Sequence, residues 1–197
     1  MSEASLEFAR VNDGSVLPSI PDLFRLHARC NMSANVCRSQ AEAATVCLGR
    51  HHTSPTRLDV SFWESTDGQA LQLEWPMPDD RARASWLNRD DATRDGAYAI
   101  VLSVLEVTRG LLPLSRTMTR SGADWWVVPA DRLAADSHLN YEDAIRVEVS
   151  GMDRCRSEGA LLGRLQDKTE QVRRGGDGPA MAGVVAFETR RVAFRSA

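Results

Sequence analysis

The stretch Asn88–Gly110, NRDDATRDGAYAIVLSVLEVTRG, constrains the fold more than any other. Asp90 or Asp91 can serve as its N-cap, Asp95 suits the positive end of a helix, and Gly110 is a stop signal. Its middle, AYAIVLSVLEV, is apolar nearly all round. A helix without a polar face has to be covered by other elements, so it is expected at the centre of the molecule.

The elements around it read as follows. Pro21–Cys30 is a short helix with Leu23, Leu26 and His27 on one side. Ser39–His52 is a second helix, with Ser39 as N-cap, Glu42 three residues on and Gly49 near its end. Thr56–Ser65 alternates as a strand that points Leu58, Val60 and Phe62 one way, and Gln69–Met77 places Leu71, Leu73 and Trp75 together. TDG between them reads as a hairpin turn. LLPLSRTMTRSG reads as a connection. Strands are expected over Ala123–Pro129 and Ile145–Val149, a helix over Ser157–Gly175, and strands over Gly183–Glu188 and Val192–Arg195. From residue 89 the order is helix, strand, strand, helix, strand. A helix between two strands implies a parallel crossover in a mixed sheet flanked by helices, hence an α/β fold.

Within EDAIRVEVSGMD, Ile145, Val147 and Val149 point one way and Arg146, Glu148 and Ser150 the other. Two readings are open: an ordinary half-solvated strand, or a strand that delivers the Glu148 carboxylate to a metal. Trp125 and Trp126 alternate in the same manner, one toward the core and the other toward a helix or, less commonly, a base.

The 197 residues carry a net charge of −3, with 11 arginines and 15 acids in residues 1–112, and 13 cations and 12 acids thereafter. That balance argues against indiscriminate nucleic-acid binding. Arginine outnumbers lysine 23 to one, and the single lysine is Lys168. A codon bias toward arginine accounts for the ratio. A surviving lysine is then either chance or a position that needs a compact ammonium, which a guanidinium cannot replace in proton transfer. No apolar run reaches the ~18 residues that span a bilayer, and the N-terminus has no signal core, so a soluble cytoplasmic protein is expected. Cys30, Cys37, Cys47 and Cys155 are expected as free thiols. The spacing of Cys30, Cys37, Cys47, His51 and His52 does not match usual zinc sites, and buried apolar cysteines are the plainer reading. Neither a nucleophile elbow nor a phosphate-binding glycine loop is present. His138 reads as a surface or capping group.

The run from residue 89 resembles the restriction-endonuclease-like nuclease superfamily, the PD-(D/E)XK fold. That core is a helix, a three-stranded meander, a helix and a further strand, with an Asp on one strand and Glu-x-Lys on the next. The resemblance puts the Asp at Asp124 in GADWWV and the Glu at Glu148 in VEVSG. The lysine position falls on Ser150, so the motif is D…E-x-S. Some divergent members carry a relocated lysine or a glutamine on the following helix, where this chain has Lys168 and Gln171. The first core helix often donates a Glu, for which Glu106 is the candidate, exposure at a helix edge being its plainer reading. The resemblance covers roughly the last 110 residues; residues 58–197 are expected to form the α/β core with a leading hairpin, and residues 1–57 an N-terminal extension packed on it in a single domain.

It further implies Mg²⁺ or Mn²⁺ held by Asp124, Glu148 and the backbone carbonyl of Val149, since a hard cation takes one or two carboxylates with water and substrate phosphate. The expected function is metal-dependent hydrolysis of DNA phosphodiesters in restriction, repair or defence. The alternative is an inactive nuclease-fold protein serving as an interaction subunit of such a complex. DNA is the expected partner, with a homodimer or a protein complex as the expected assembly.

Overall fold

The computed structural model describes residues 16–65, 68–118, 121–133 and 141–197. The expected turn at Thr66 and Asp67, and His138, lie outside these residues. A 3-10 helix, Leu23–Ala28, comes first, followed by α1 (Ala34–Gly49), β1 (Thr56–Phe62), β2 (Gln69–Leu73), α2 (Asp80–Ser85) and α3 (Arg89–Arg109). Then come β3 (Leu111–Arg116), β4 (Trp125–Pro129), α4 (Ala130–Leu133), β5 (Ile145–Met152), α5 (Glu158–Arg174), β6 (Ala180–Ala186) and β7 (Arg191–Ser196). The seven strands form one mixed sheet in the order β2-β1-β7-β6-β5-β4-β3. From α3 onward the chain is a helix, the antiparallel meander β3-β4-β5, the crossover helix α5, and β6 parallel to β5. β1 and β2 pair antiparallel and join the same sheet through a parallel pairing of β1 with β7. Among the described residues no helix is long and apolar enough to cross a membrane.

Local chemistry accounts for the element ends. Asn88, not an aspartate, caps α3 by accepting from the Asp90 N–H at 3.1 Å, and Gly110 closes it in the left-handed region at φ 63. α1 begins six residues earlier than the Ser39 cap implies. Ser33 accepts from the Val36 N–H at 3.3 Å, and Cys37, Ala41, Ala44 and Leu48 continue one buried stripe from that start. The apolar centre of α3 is covered as expected, by α1 on one side and by the sheet on the other. α1 and α3 approach closely because position 96 is glycine: a Cβ there would lie 2.9 Å from the Ala44 Cα.

The strand missed in sequence is β3. Its LLPLSR contains a proline, which central strands exclude, but β3 is the sheet edge, where Pro113 removes no ladder donor that the sheet needs. The N-terminal segment reaches both edges of the sheet. The Ile20 N–H donates to the Gln72 carbonyl on β2 at 2.8 Å, while the Asn31 N–H donates to the Pro113 carbonyl on β3 at 3.3 Å.

β5 continues through Gly151 to Met152, where a strand end was expected. Gly151 is a point of close approach rather than a breaker, because a side chain there would collide with the Thr93 carbonyl of α3. Both faces of β5 are covered. Val147 and Val149 pack toward α3, whereas Arg146, Glu148 and Ser150 are buried beneath α5. Of the two readings of the alternation, the half-solvated strand is set aside: its polar face is a row inside the protein.

Candidate functional site

A buried polar row on a strand costs free energy unless its members are partnered, and here Arg146, Glu148 and Ser150 each have a partner, the Arg146 Nε alone finding none. α5 places Leu161, Leu165, Thr169 and Val172 on its buried side, packing Leu161 and Leu165 against Ala182, Val184 and Ala193. Three of its polar residues, Arg164, Lys168 and Gln171, then stand over β5 at helical spacing. The Arg164 Nε donates to the Ser150 Oγ at 3.0 Å. The Lys168 Nζ donates to Glu148 Oε1 at 2.6 Å and to Gln171 Oε1 at 2.8 Å, and the Gln171 Nε2 donates to the same Glu148 oxygen at 2.9 Å. At the head of the row, Arg146 donates to the Ser121 carbonyl at 3.3 Å and to the Gly176 carbonyl.

Asp124 stands immediately before β4, opposite the middle of β5. Its Oδ2 accepts from the Val149 N–H at 2.9 Å, and its Oδ1 accepts from the Tyr98 hydroxyl of α3 at 2.8 Å. The loop that delivers it is tied down on three sides. The Thr117 N–H donates to the Asp124 carbonyl at 3.1 Å and the Asp124 N–H to the Val147 carbonyl at 2.9 Å. Thr117 Oγ1 donates to the Ala123 carbonyl. The loop lies directly on the C-terminal turn of α5 because two glycines meet there. A Cβ on Gly122 would stand 2.6 Å from the Gln171 carbonyl and 2.9 Å from the Gly175 Cα.

These elements enclose a cleft of about 360 Å³ lined by Arg116, Thr117, Asp124, Glu148 and Gln171 among others. Burial raises the Glu148 carboxyl from its ordinary 4.5 to about 7, the Asp124 charge beside it adds to the rise, and Lys168 opposes it. Burial and Asp124 raise the Tyr98 phenol to about 12, so it remains a donor. Two carboxylates crowd one another here, and a divalent cation would relieve that crowding. In a strand the N–H and C=O of one residue face the same neighbour, so the Val149 carbonyl faces the side of β5 on which Asp124 sits. Asp124, Glu148 and that carbonyl are a donor set suited to a hard cation that keeps several waters. Among the described residues no group of three or more His, Cys, Asp or Glu side chains is gathered about one point.

Of the residues singled out in sequence, Asp124, Glu148, Lys168 and Gln171 are brought together. Ser150 is not in the wall of the cleft but is buried against Arg164. Glu106 is elsewhere. Eight residues beyond Tyr98 on α3, it lies about 12 Å further along the axis. There it holds Arg29 in a two-pronged pair at 2.5 and 2.9 Å, which ties the N-terminal segment to the core. His51 pairs with Asp153 at 3.3 Å and His52 meets the Phe187 carbonyl at 2.8 Å. The four cysteines are free thiols, three of them buried. Trp125 is buried and meets Tyr98 edge-on, while Trp126 packs against Tyr141 on the other face.

Tyr98, Arg116 and Arg164 were missed in sequence. The one signal available was Tyr98, whose hydroxyl needs a partner when its helix is buried on all sides. No protein-family model matches the chain, and no curated protein matches it.

Proposed function

We propose that the chain is a metal-dependent phosphodiester hydrolase acting on DNA, with its working groups in the cleft between β4, β5 and α5. The supporting observation is that the only lysine, sent to α5 by the sequence, reaches Glu148 at 2.6 Å and so stands in for the lysine missing at Ser150. When bound, Mg²⁺ or Mn²⁺ held by Asp124, Glu148 and the Val149 carbonyl would act as a Lewis acid on phosphate oxygens and acidify water. The side chains prepare that site. Tyr98 and the Val149 N–H fix the two Asp124 oxygens, so the carboxylate needs little reorganisation. Lys168 stands behind Glu148 as a positioning residue, holding one oxygen in place and favouring its ionised form. Gln171 forms part of the cleft wall and braces the same oxygen.

A second reading is an inactive nuclease-fold subunit of a defence or repair complex. It is favoured by Ser150, which stands where the resemblance puts its lysine and is engaged by Arg164. One experiment separates the two. Purified protein is incubated with plasmid and single-stranded DNA, with Mg²⁺ or Mn²⁺, beside the double variant Asp124→Ala/Glu148→Ala. Cleavage by the wild type alone supports the hydrolase. No cleavage by the wild type, or equal cleavage by the double variant, sinks it and leaves the subunit.

A further inference from the structure

We infer that Arg116, at the end of β3, is the residue by which the cleft binds a phosphate of the DNA backbone. The inference rests on the hydrolase reading above. Among the described residues, Arg116 is the one cation in the cleft wall, and Lys168, Arg146 and Arg164 stand in the polar row behind it. Lys168 is committed to Glu148 and Gln171, the terminal nitrogens of Arg146 to two backbone carbonyls, and the Nε of Arg164 to Ser150. Arg116 is different. Its side chain is half exposed and forms part of the cleft wall. Its nearest carboxylate oxygen, Asp124 Oδ1, is 4.0 Å away, the outer limit of an ion pair. That oxygen already accepts from the Tyr98 hydroxyl.

The guanidinium is nevertheless held in place. Its carbon lies 4.5 Å from the centre of the Tyr98 ring and 4.9 Å from that of Trp125. The two rings belong to α3 and β4, and they meet edge-on with centres 6.2 Å apart. Contacts of this kind attract a cation and restrict the long side chain. The rotational entropy a free arginine loses on binding a ligand is therefore partly lost in advance. A fixed, planar, always-charged fork at the cleft wall is the group best matched to two oxygens of one phosphate. It shares the cleft wall with both carboxylates, so a phosphate gripped there lies in the same cleft as Asp124 and Glu148. The cation offsets their repulsion of the incoming polyanion.

The test is duplex-DNA binding, followed by fluorescence anisotropy in EDTA over a series of salt concentrations. Wild type is compared with Arg116→Ala and Arg116→Lys, with melting temperatures measured alongside. Loss of one phosphate contact should weaken binding by Arg116→Ala about tenfold and make the slope of log K against log salt shallower by about 0.9. Arg116→Lys keeps the charge, so its slope should match the wild type while its affinity falls about threefold, for want of the planar fork. If Arg116→Ala does not fold, the Arg116→Lys affinity carries the result. Wild-type slope and affinity in Arg116→Ala, or wild-type affinity in Arg116→Lys, overturns the inference. If the wild type cleaves DNA while that happens, only the role of Arg116 is lost. If the wild type neither cleaves nor binds DNA, both fall together.

Discussion

Glu148 should make the protein less stable in mild alkali than in mild acid. Burial and the neighbouring Asp124 raise its carboxyl from 4.5 to about 7, against the pull of Lys168. In the unfolded chain the same group titrates near its ordinary value. Between the two, the folded protein binds more protons than the unfolded one, so stability falls as pH rises. The favourable contribution is whole below about pH 4.5 and is lost as pH passes through about 7. The gap corresponds to about 3 kcal/mol, which water in the open cleft screens to about 2 kcal/mol. Glu148→Gln keeps the shape and offers Lys168 an acceptor but cannot ionise. Urea denaturation at a series of pH values should show the variant equal to wild type near pH 4.5 and about 2 kcal/mol more stable at pH 8. Adding Mg²⁺ to the wild type should flatten its profile, since a bound cation holds Glu148 ionised in the folded protein alone. A variant less stable than wild type at pH 8, or a difference that ignores pH, would refute the reasoning. Either result would mean that Lys168 outweighs burial.

Two further perturbations probe how the cleft is built. Gly122→Ala puts a methyl group 2.6 Å from the Gln171 carbonyl at a residue whose φ is 68. It should cost about 2–4 kcal/mol and lower the melting temperature by about 5–15 °C, and a calorimetric scan showing no change would refute the close packing of the loop on α5. Lys168→Arg should cut DNA cleavage at least about tenfold while leaving the melting temperature within about 3 °C, because a guanidinium does not fit where a compact ammonium bridges Glu148 and Gln171. Undiminished cleavage would make the single lysine an accident of composition.

Much of the scaffold was legible because it is written in local chemistry. The uninterrupted apolar centre of α3 and the alternation in β5 each act within a few residues. β3 was illegible because its strand character comes from pairing with β4 and from lying at an edge, which a proline in an apolar run conceals. The early start of α1 was hidden by two serines that could each serve as its cap, and only tertiary burial of Cys37 decides between them. The candidate site divides in the same way. Asp124, Glu148, Lys168 and Gln171 were picked out through the resemblance, which rests on residue type and order. Tyr98 and Arg116 could not, since what marks them is contact with residues on other elements. Glu106 was drawn in by its helix alone, and position along that helix carries it away to Arg29.

The N-terminal segment that touches both outer strands has a mechanical consequence. The segment pairs on the outer side of both edge strands, so across a flat seven-stranded sheet its ends would stand eight gaps apart, about 38 Å at ~4.8 Å per gap. Between Ile20 and Asn31 the chain includes a six-residue 3-10 helix, so even with every other residue fully extended it reaches only about 31 Å. The real path turns at Arg29 and Cys30 and so falls short of that limit. The segment is therefore a chord shorter than the flat sheet, and the sheet has to arch to let it close. Shortening or lengthening residues 20–31 would change the arch of the sheet, and with it the angle at which β4 and β5 bring Asp124 and Glu148 together.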